Sequence, residues 1–273
     1  LLGTGGTKAG NFLLGAILAL VIGTMLLGGA KRIGSVAERL VPFAAVGYML
    51  LCIFVFLVRW RALPDVLASI LRGAVSPRAV TGGVIGSFFI ALRTGAARGV
   101  VTNEAGMGTA AIAHASADVS HPVQQGLMGI MEVFIDTIAI CTLTALVILC
   151  SGVPINYGYD AGIELTLEAF SAFYGEWITV PLAVSICCFA LATVFGWGLY
   201  GIRCAQFLLG ERAWKVFVWL QVATVIVGAV LKTDVVWLLT EIINGLMAIP
   251  NLILLFVLTP QLIKLLRDYQ MNK

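Results

Sequence analysis

Between Trp177 and Ile202 the chain runs for 26 residues without a charged side chain. A helix of that length reaches about 39 Å at ~1.5 Å per residue. That is enough to cross a bilayer core of about 30 Å. Other charge-free or charge-poor runs recur at Asn11–Ala30, Leu40–Val58, Val123–Cys150, Val216–Leu231 and Val235–Ile263. Inside a bilayer each backbone N–H and C=O must find a partner within the protein, so such runs form helices. Composition agrees: 60% of the residues are hydrophobic and 11% are charged, against ~25% charged in a soluble domain. The mean hydropathy is +1.02. The fold class is therefore all-α, a polytopic transmembrane bundle, with about seven spans expected once the stretch below is included.

That stretch is Ala79–His121, which starts as a span and then departs from one. Ala79–Leu92 is uncharged, but its fourteen residues reach only about 21 Å as a helix. Arg93, Arg98 and Glu104 follow among Gly82, Gly83, Gly86, Gly95, Gly99, Gly106 and Gly108. A short, glycine-interrupted apolar segment is the mark of a discontinuous helix, whose bare backbone groups form substrate and ion sites in transporters. The alternative is a span ending near Leu92 and a glycine-rich loop.

The remaining segments give the topology. KRIGSVAER, Lys31–Arg39, is read as a short loop with three basic residues, and Pro42 as first-turn proline of the second span. Pro64–Leu71 is read as a short amphipathic helix along the membrane surface. Ser151–Trp177 is read as an acidic loop, with Asp160, Glu164, Glu168 and Glu176 and no basic residue. If the first span runs outward to inward, the inner segments hold nine basic residues and the outer ones six. The positive-inside rule favours that orientation. The net charge of +3 points to no nucleic-acid partner. The six cysteines make no C-x-x-C and lie in or beside apolar runs, where they read as small buried hydrophobes. The chain starts at Leu1 with no basic leader region, which suggests N-terminal truncation.

Ionisable residues within spans are functional candidates, because each is costly without a partner or water. Glu132 and Asp136 stand four apart in the fourth span, with Thr137 beside them, an oxygen-rich set suited to a cation. The structural alternative is a helix–helix hydrogen bond. Glu241 and Asn244 in the last span carry the same two readings. Thr193, Trp197, Tyr200 and Cys204 fall on one helical face. That face is either interhelical packing or a hydroxyl above an indole wall for a small polar ligand. Gly196 and Gly198 flank the indole, which leaves room for a neighbouring backbone. Asn103-Glu104-Ala105-Gly106-Met107-Gly108 is the most unusual run: donor, acceptor, charge and open backbone together. There is no H-E-x-x-H and no P-loop, so neither a zinc protease nor a nucleotide enzyme is indicated.

Arg98-Gly99-Val100-Val101-Thr102-Asn103-Glu104-Ala105-Gly106-Met107-Gly108-Thr109-Ala110, followed by Ile112-Ala113-His114-Ala115, closely resembles the signature of the alanine or glycine:cation symporters. That signature reads R-G-L-F-S-N-E-A-G-x-G-S-A-x-I-A-H-A. Further matches are GGAKRI at Gly28, VPF at Val41, HPVQQG at His121, FIDT at Phe134, CTLTALVIL at Cys141, FGWGLYGIRC at Phe195 and NGLMAIPN at Asn244. The resemblance implies sodium-coupled uptake of alanine or glycine by a multi-pass bacterial or archaeal inner-membrane protein, with no cofactor beyond the coupling ion. It implies a leucine-transporter-like fold of two inverted five-helix repeats. Residues 1–273 would then be one membrane domain, 1–63 ending the first repeat and 77–273 forming the second. It implies a substrate site of Thr102, Asn103, Thr193 and Trp197, and a cation site of Asn103, Asp136, Thr137 and Thr193. Val100-Val101-Thr102 replaces the family's L-F-S, and Gly198-Leu199 replaces S-Y, which alters a ring and a hydroxyl near the site. The family also has spans ahead of the region matched here. Two other classes stay open: a non-transporting fragment or structural subunit of the same fold, and an intramembrane enzyme using Glu104, His114 or Asp136.

Overall fold

The computed structural model describes residues 8–75, 84–155, 162–231 and 233–271. Among these there is no strand. The helices are α1 Lys8–Leu27, α2 Gly29–Val58, α3 Leu63–Val75, α4 Val84–Thr102, α5 Ala110–His114, α6 Pro122–Ser151, α7 Ile163–Tyr174, α8 Thr179–Leu209, α9 Ala213–Val230 and α10 Thr233–Met271. Within α6 the stretch Phe134–Ile140 is a π-helix. A 3₁₀ turn, Glu176–Ile178, leads into α8. Among the described residues six helices are long and apolar enough to cross a membrane: α1, α2, α6, α8 with its leading turn, α9 and α10. The seventh span expected from sequence is the interrupted one, α4, which carries Arg93 and Arg98 and stops at Thr102.

The chain divides into two compact units. The first comprises residues 1–42, 104–129 and 187–273. In it α1 lies along α9. Gly15, Ala19 and Gly23 recur every fourth residue, so they share one face of α1. A Cβ on Gly15 would sit 2.6 Å from the Ala229 Cβ, and one on Gly23 would sit 3.0 Å from Val222 Cγ2. Small residues let the two backbones approach, which is how helices associate where lipid removes the hydrophobic drive. Ile22, Leu26, Ile33, Phe195, Ile202 and Val218 form the buried core beside that seam.

The second unit comprises residues 43–103 and 130–186. There α7 and α3 both pack on the last turns of α6. Phe170, Val147, Val55 and Cys52 are fully buried. The Tyr48 ring lies 5.7 Å from Phe170, and its hydroxyl is 2.7 Å from Thr144 Oγ1. Tyr174 donates its hydroxyl to the Leu51 carbonyl at 2.6 Å and stacks on Phe54.

Several sequence expectations are corrected. KRIGSVAER is helix, not loop: Gly29, at φ 73°, makes the turn after α1, and α2 then runs unbroken through the basic residues. Pro42 consequently lies inside α2 instead of in a first turn. Ser151–Trp177 is not a plain loop, because Ile163, Leu167 and Phe170 repeat at helical spacing and drive α7, with Phe170 buried and Glu164 and Glu168 outward. Asp160 lies outside the described residues. Pro250 and Pro260 lie inside the last span, as expected, and α10 continues through both. Spanning helices tolerate proline where neighbouring groups and small local adjustments re-satisfy the backbone it frees. The cysteines are all free, yet only Cys52 and Cys150 are buried, and Cys141, Cys187 and Cys204 are exposed on the helix surfaces. The amphipathic helix is present, as Leu63–Val75.

Candidate functional site

The interruption sits where the unusual run is. The α4 helix closes with Asn103 N donating to the Gly99 carbonyl at 3.1 Å and Thr102 Oγ1 donating to the Arg98 carbonyl at 2.9 Å. Beyond it the chain leaves helical geometry, and regular helix resumes only at Ala110. Glu104 is the sole described non-glycine residue with positive φ, at 53°, and Gly108 turns back at φ 78°. Such a backbone is costly for a side-chain-bearing residue and persists where its surroundings hold it.

In the first unit those surroundings are specific. Met107 N and Gly108 N both donate to the Glu104 carbonyl, at 3.2 and 2.9 Å. Thr109, 4% exposed, donates its hydroxyl to Glu104 Oε2 at 3.2 Å. Asn251, on α10, donates its amide to the carbonyls of Ala105 and Gly106 at 2.7 and 2.9 Å. After the break, His114 Nδ1 is 2.6 Å from Gln125 Nε2. The glutamine nitrogen is the donor there, so a neutral His114 carries its proton on Nε2. Ala111, Ile112, Ala115 and Ser116 share an open hollow with Arg203 of α8.

Thr193 and Trp197 lie on α8 in the same unit. Within the part of this helix that belongs to the first unit, the buried residues are Phe195, Gly198 and Ile202. At ~100° per residue the Thr193, Trp197, Tyr200, Cys204 stripe falls on the opposite side of the helix. Thr193 and Cys204 are exposed, and Trp197 and Tyr200 are half-buried, their rings 6.2 Å apart. Thr193 Oγ1 donates to the Phe189 carbonyl at 3.0 Å. Within this unit the packing face of α8 is thus not the stripe. Gly198 does admit a close neighbour, but side chains instead of a backbone: its Cβ position is 2.5 Å from Leu26 Cδ2 and 3.0 Å from Gln221 Nε2.

Asp136 and Thr137 lie in the second unit, inside the π-helical stretch of α6. Helix α4, which carries Thr102 at its end, packs against this stretch. A π-turn widens the helix and shifts the register that put Glu132 and Asp136 on one face, and such turns concentrate at functional sites. Thr137 Oγ1 is buried and has no hydrogen-bond partner among the described residues. A buried hydroxyl oxygen left over is an available ligand for a hard cation. Among the described residues no three His, Cys, Asp or Glu side chains cluster as a metal site. Asn244 is buried at 7% exposure on α10, and Glu241 is half-buried one turn before it.

Sequence reading did not find two of these features. The π-stretch has no sequence mark beyond the polar Asp136-Thr137 pair in an apolar run. Asn251 stands directly after Pro250 in the NGLMAIPN run, where an amide amid apolar residues was the available signal.

Residues 4–273 match a family model described as the Sodium:alanine symporter family. The chain is 39% identical over 262 residues to a probable sodium/glutamine symporter of Bacillus subtilis, covering 95% of this chain and 54% of that one. It is 35% identical over 253 residues to a sodium/alanine symporter of Methanococcus maripaludis, covering 90% of this chain and 54% of that one. It is 37% identical over 255 residues to an uncharacterized transporter of Haemophilus influenzae, covering 93% and 56%. The chain spans about half the length of the curated relatives it matches. These relatives are named as transporters and symporters, none as an enzyme.

Proposed function

Because the chain belongs to the sodium:alanine symporter family, we propose that the protein is a secondary active transporter of the cytoplasmic membrane that couples sodium entry to uptake of a small neutral amino acid. The observation that carries this reading is the break between α4 and α5, non-helical backbone within an otherwise apolar helical chain. Amide and carbonyl groups freed from a helix supply charge-matched ligands to a zwitterion without placing a full charge in lipid. Thr102 and Asn103 at the end of α4, and Thr193 and Trp197 on α8, are the residues proposed to bind substrate, on the family resemblance. Asn103, Asp136, Thr137 and Thr193 are the residues proposed to bind sodium, on the same resemblance, and the Thr137 oxygen, buried without a hydrogen-bond partner among the described residues, supports its own place among them.

The substrate is alanine or glycine: an indole wall accepts a methyl group and crowds a longer side chain. Glutamine, carried in the name of one relative, is the competing substrate, and the replaced ring and hydroxyl around Val101 and Gly198 bear on that choice. Transport proceeds by alternating access, the site facing each side in turn. Five-helix repeats, the second beginning near residue 77, supply the moving halves.

Proteoliposomes carrying the full chain test this. Uptake of labelled alanine that rises with an inward sodium gradient, and is displaced by glycine more than by glutamine, is expected. Uptake indifferent to sodium removes the symport claim. A preference for glutamine removes the size argument. No uptake of any of the three favours the alternative, a structural subunit of the same fold.

A further inference from the structure

Two carbonyls within the break have an unusual partner. In an unbroken helix the Ala105 and Gly106 carbonyls would accept from the N–H groups four residues on, those of Thr109 and Ala110. Instead one side-chain amide, that of Asn251, supplies a hydrogen to each, at 2.7 and 2.9 Å. Two adjacent carbonyls fix which end of the amide faces them, since only the nitrogen donates. Asn251 rides on α10, a helix of 39 residues, so the amide comes from a long and regular element. Gly108 completes the arrangement. Its φ of 78° disfavours any side chain, and a Cβ there would strike Asn251 Oδ1 and lie 2.9 Å from its Cγ. The glycine is thus required twice, by its own backbone and by the asparagine beside it.

We propose that Asn251 is a positioning residue for amino-acid binding, holding the break between α4 and α5 in its non-helical shape by occupying the Ala105 and Gly106 carbonyls. This rests on the transport reading above and deepens it. Asn251 acts through backbone, not by touching substrate. Two consequences follow from the chemistry. Removing the amide frees both carbonyls to recapture Thr109 and Ala110 N–H groups, so the break loses its shape. A carboxylate at 251 is worse than a hydrocarbon, because it meets two carbonyl dipoles with negative charge.

The test uses Asn251→Asp, equal in size but without donors, with Asn251→Ala as the second variant should the aspartate chain not fold. Two readouts are taken on the full chain in proteoliposomes: the kinetics of sodium-driven alanine uptake, and hydrogen exchange of peptides spanning 103–109. For the alanine variant the expected result is a KM for alanine raised about ten-fold, the scale of two lost hydrogen bonds, and for the aspartate variant a larger rise, with maximal rate changed less than about two-fold in both. Exchange at Met107 and Gly108, whose amides are bonded to the Glu104 carbonyl, is expected to speed up in parallel. Gly108→Ala should reproduce both effects, and the double variant should be no worse than either single one, because both act on one contact. Unchanged KM and unchanged exchange overturn the proposal. A lowered melting temperature with wild-type KM also overturns it, leaving Asn251 a purely structural residue. If the wild-type chain shows no sodium-driven uptake, the transport reading fails, and the exchange readout alone decides whether Asn251 holds the break.

Discussion

Thr109 donates its hydroxyl to the Glu104 carboxylate across 3.2 Å, and the bond closes the irregular backbone from its two ends. Glu104 bears the positive φ and Thr109 is almost fully buried. The carboxylate thereby stabilises a backbone that the residue itself disfavours. Thr109→Val keeps the shape and removes the donor. Its expected cost is about 1.5–3 kcal/mol, the range for a hydrogen bond to a charged acceptor. Thermal unfolding in detergent measures it, and a melting temperature equal to wild type would count against the bond.

Thr137 gives a prediction about the ion. Its buried oxygen has no protein partner among the described residues. If sodium takes that place, sodium should raise the melting temperature of the wild-type chain, as any ligand of the native state does. Thr137→Val should abolish most of that rise and raise the sodium concentration for half-maximal uptake about ten-fold. A sodium-dependent shift retained in the valine variant would remove Thr137 from the ion site.

Trp197 gives one about selectivity. The indole lies half-buried on the face of α8 turned away from the core of its unit. Trp197→Ala should narrow the preference for alanine over larger neutral amino acids by about ten-fold, the scale of a few methylenes' worth of pocket. Competition of labelled alanine uptake by leucine and glutamine reads this directly. Unaltered competition would take Trp197 out of the pocket.

Gly198 tests packing separately from function. Its Cβ position is 2.5 Å from Leu26 Cδ2, a member of the buried cluster of the first unit. Gly198→Ala should destabilise by about 1–3 kcal/mol, the usual penalty for overpacking. Pairing it with Leu26→Ala should restore part of the loss. A wild-type melting temperature for Gly198→Ala alone would refute the contact.

Tyr174 gives a pH dependence. Burial pushes its phenol up from 10.0 to about 12. A folded-state value above the unfolded one means the native chain keeps the proton longer. The associated stability is complete below pH 10 and declines as pH rises toward 12. Tyr174→Phe should flatten that decline while losing the 2.6 Å bond to the Leu51 carbonyl. Melting temperatures from pH 9 upward, in both chains, check the sign.

Membrane class was written in the chain itself. Long uncharged runs leave the backbone no alternative to helix in lipid, so α1, α6, α8, α9 and α10 appear close to where hydropathy puts them. The break was readable for the same reason: arginines, a glutamate and glycines inside an apolar stretch cannot continue a simple span. Where composition was ambiguous the reading went astray. Lys31–Arg39 looked like a loop because it is charged, yet alanine, arginine and glutamate are good helix formers, and Gly29 alone makes the turn. Residues 163–174 looked like loop because of their acids, but their apolar spacing finds the end of α6 to pack on.

The residues of the site divide along the same line. Local chemistry named Asn103, Glu104, Asp136 and Trp197, since charge, amide and indole stand out against aliphatic neighbours in any window of sequence. The hold of Asn251 on Ala105 and Gly106 could not be seen there, because its partners are about 145 positions away and are backbone atoms, which carry no residue identity. The face of α8 that packs was likewise set by neighbours distant in the chain. Hydropathy is a property of each segment alone, whereas which carbonyl meets which amide depends on how segments are brought side by side.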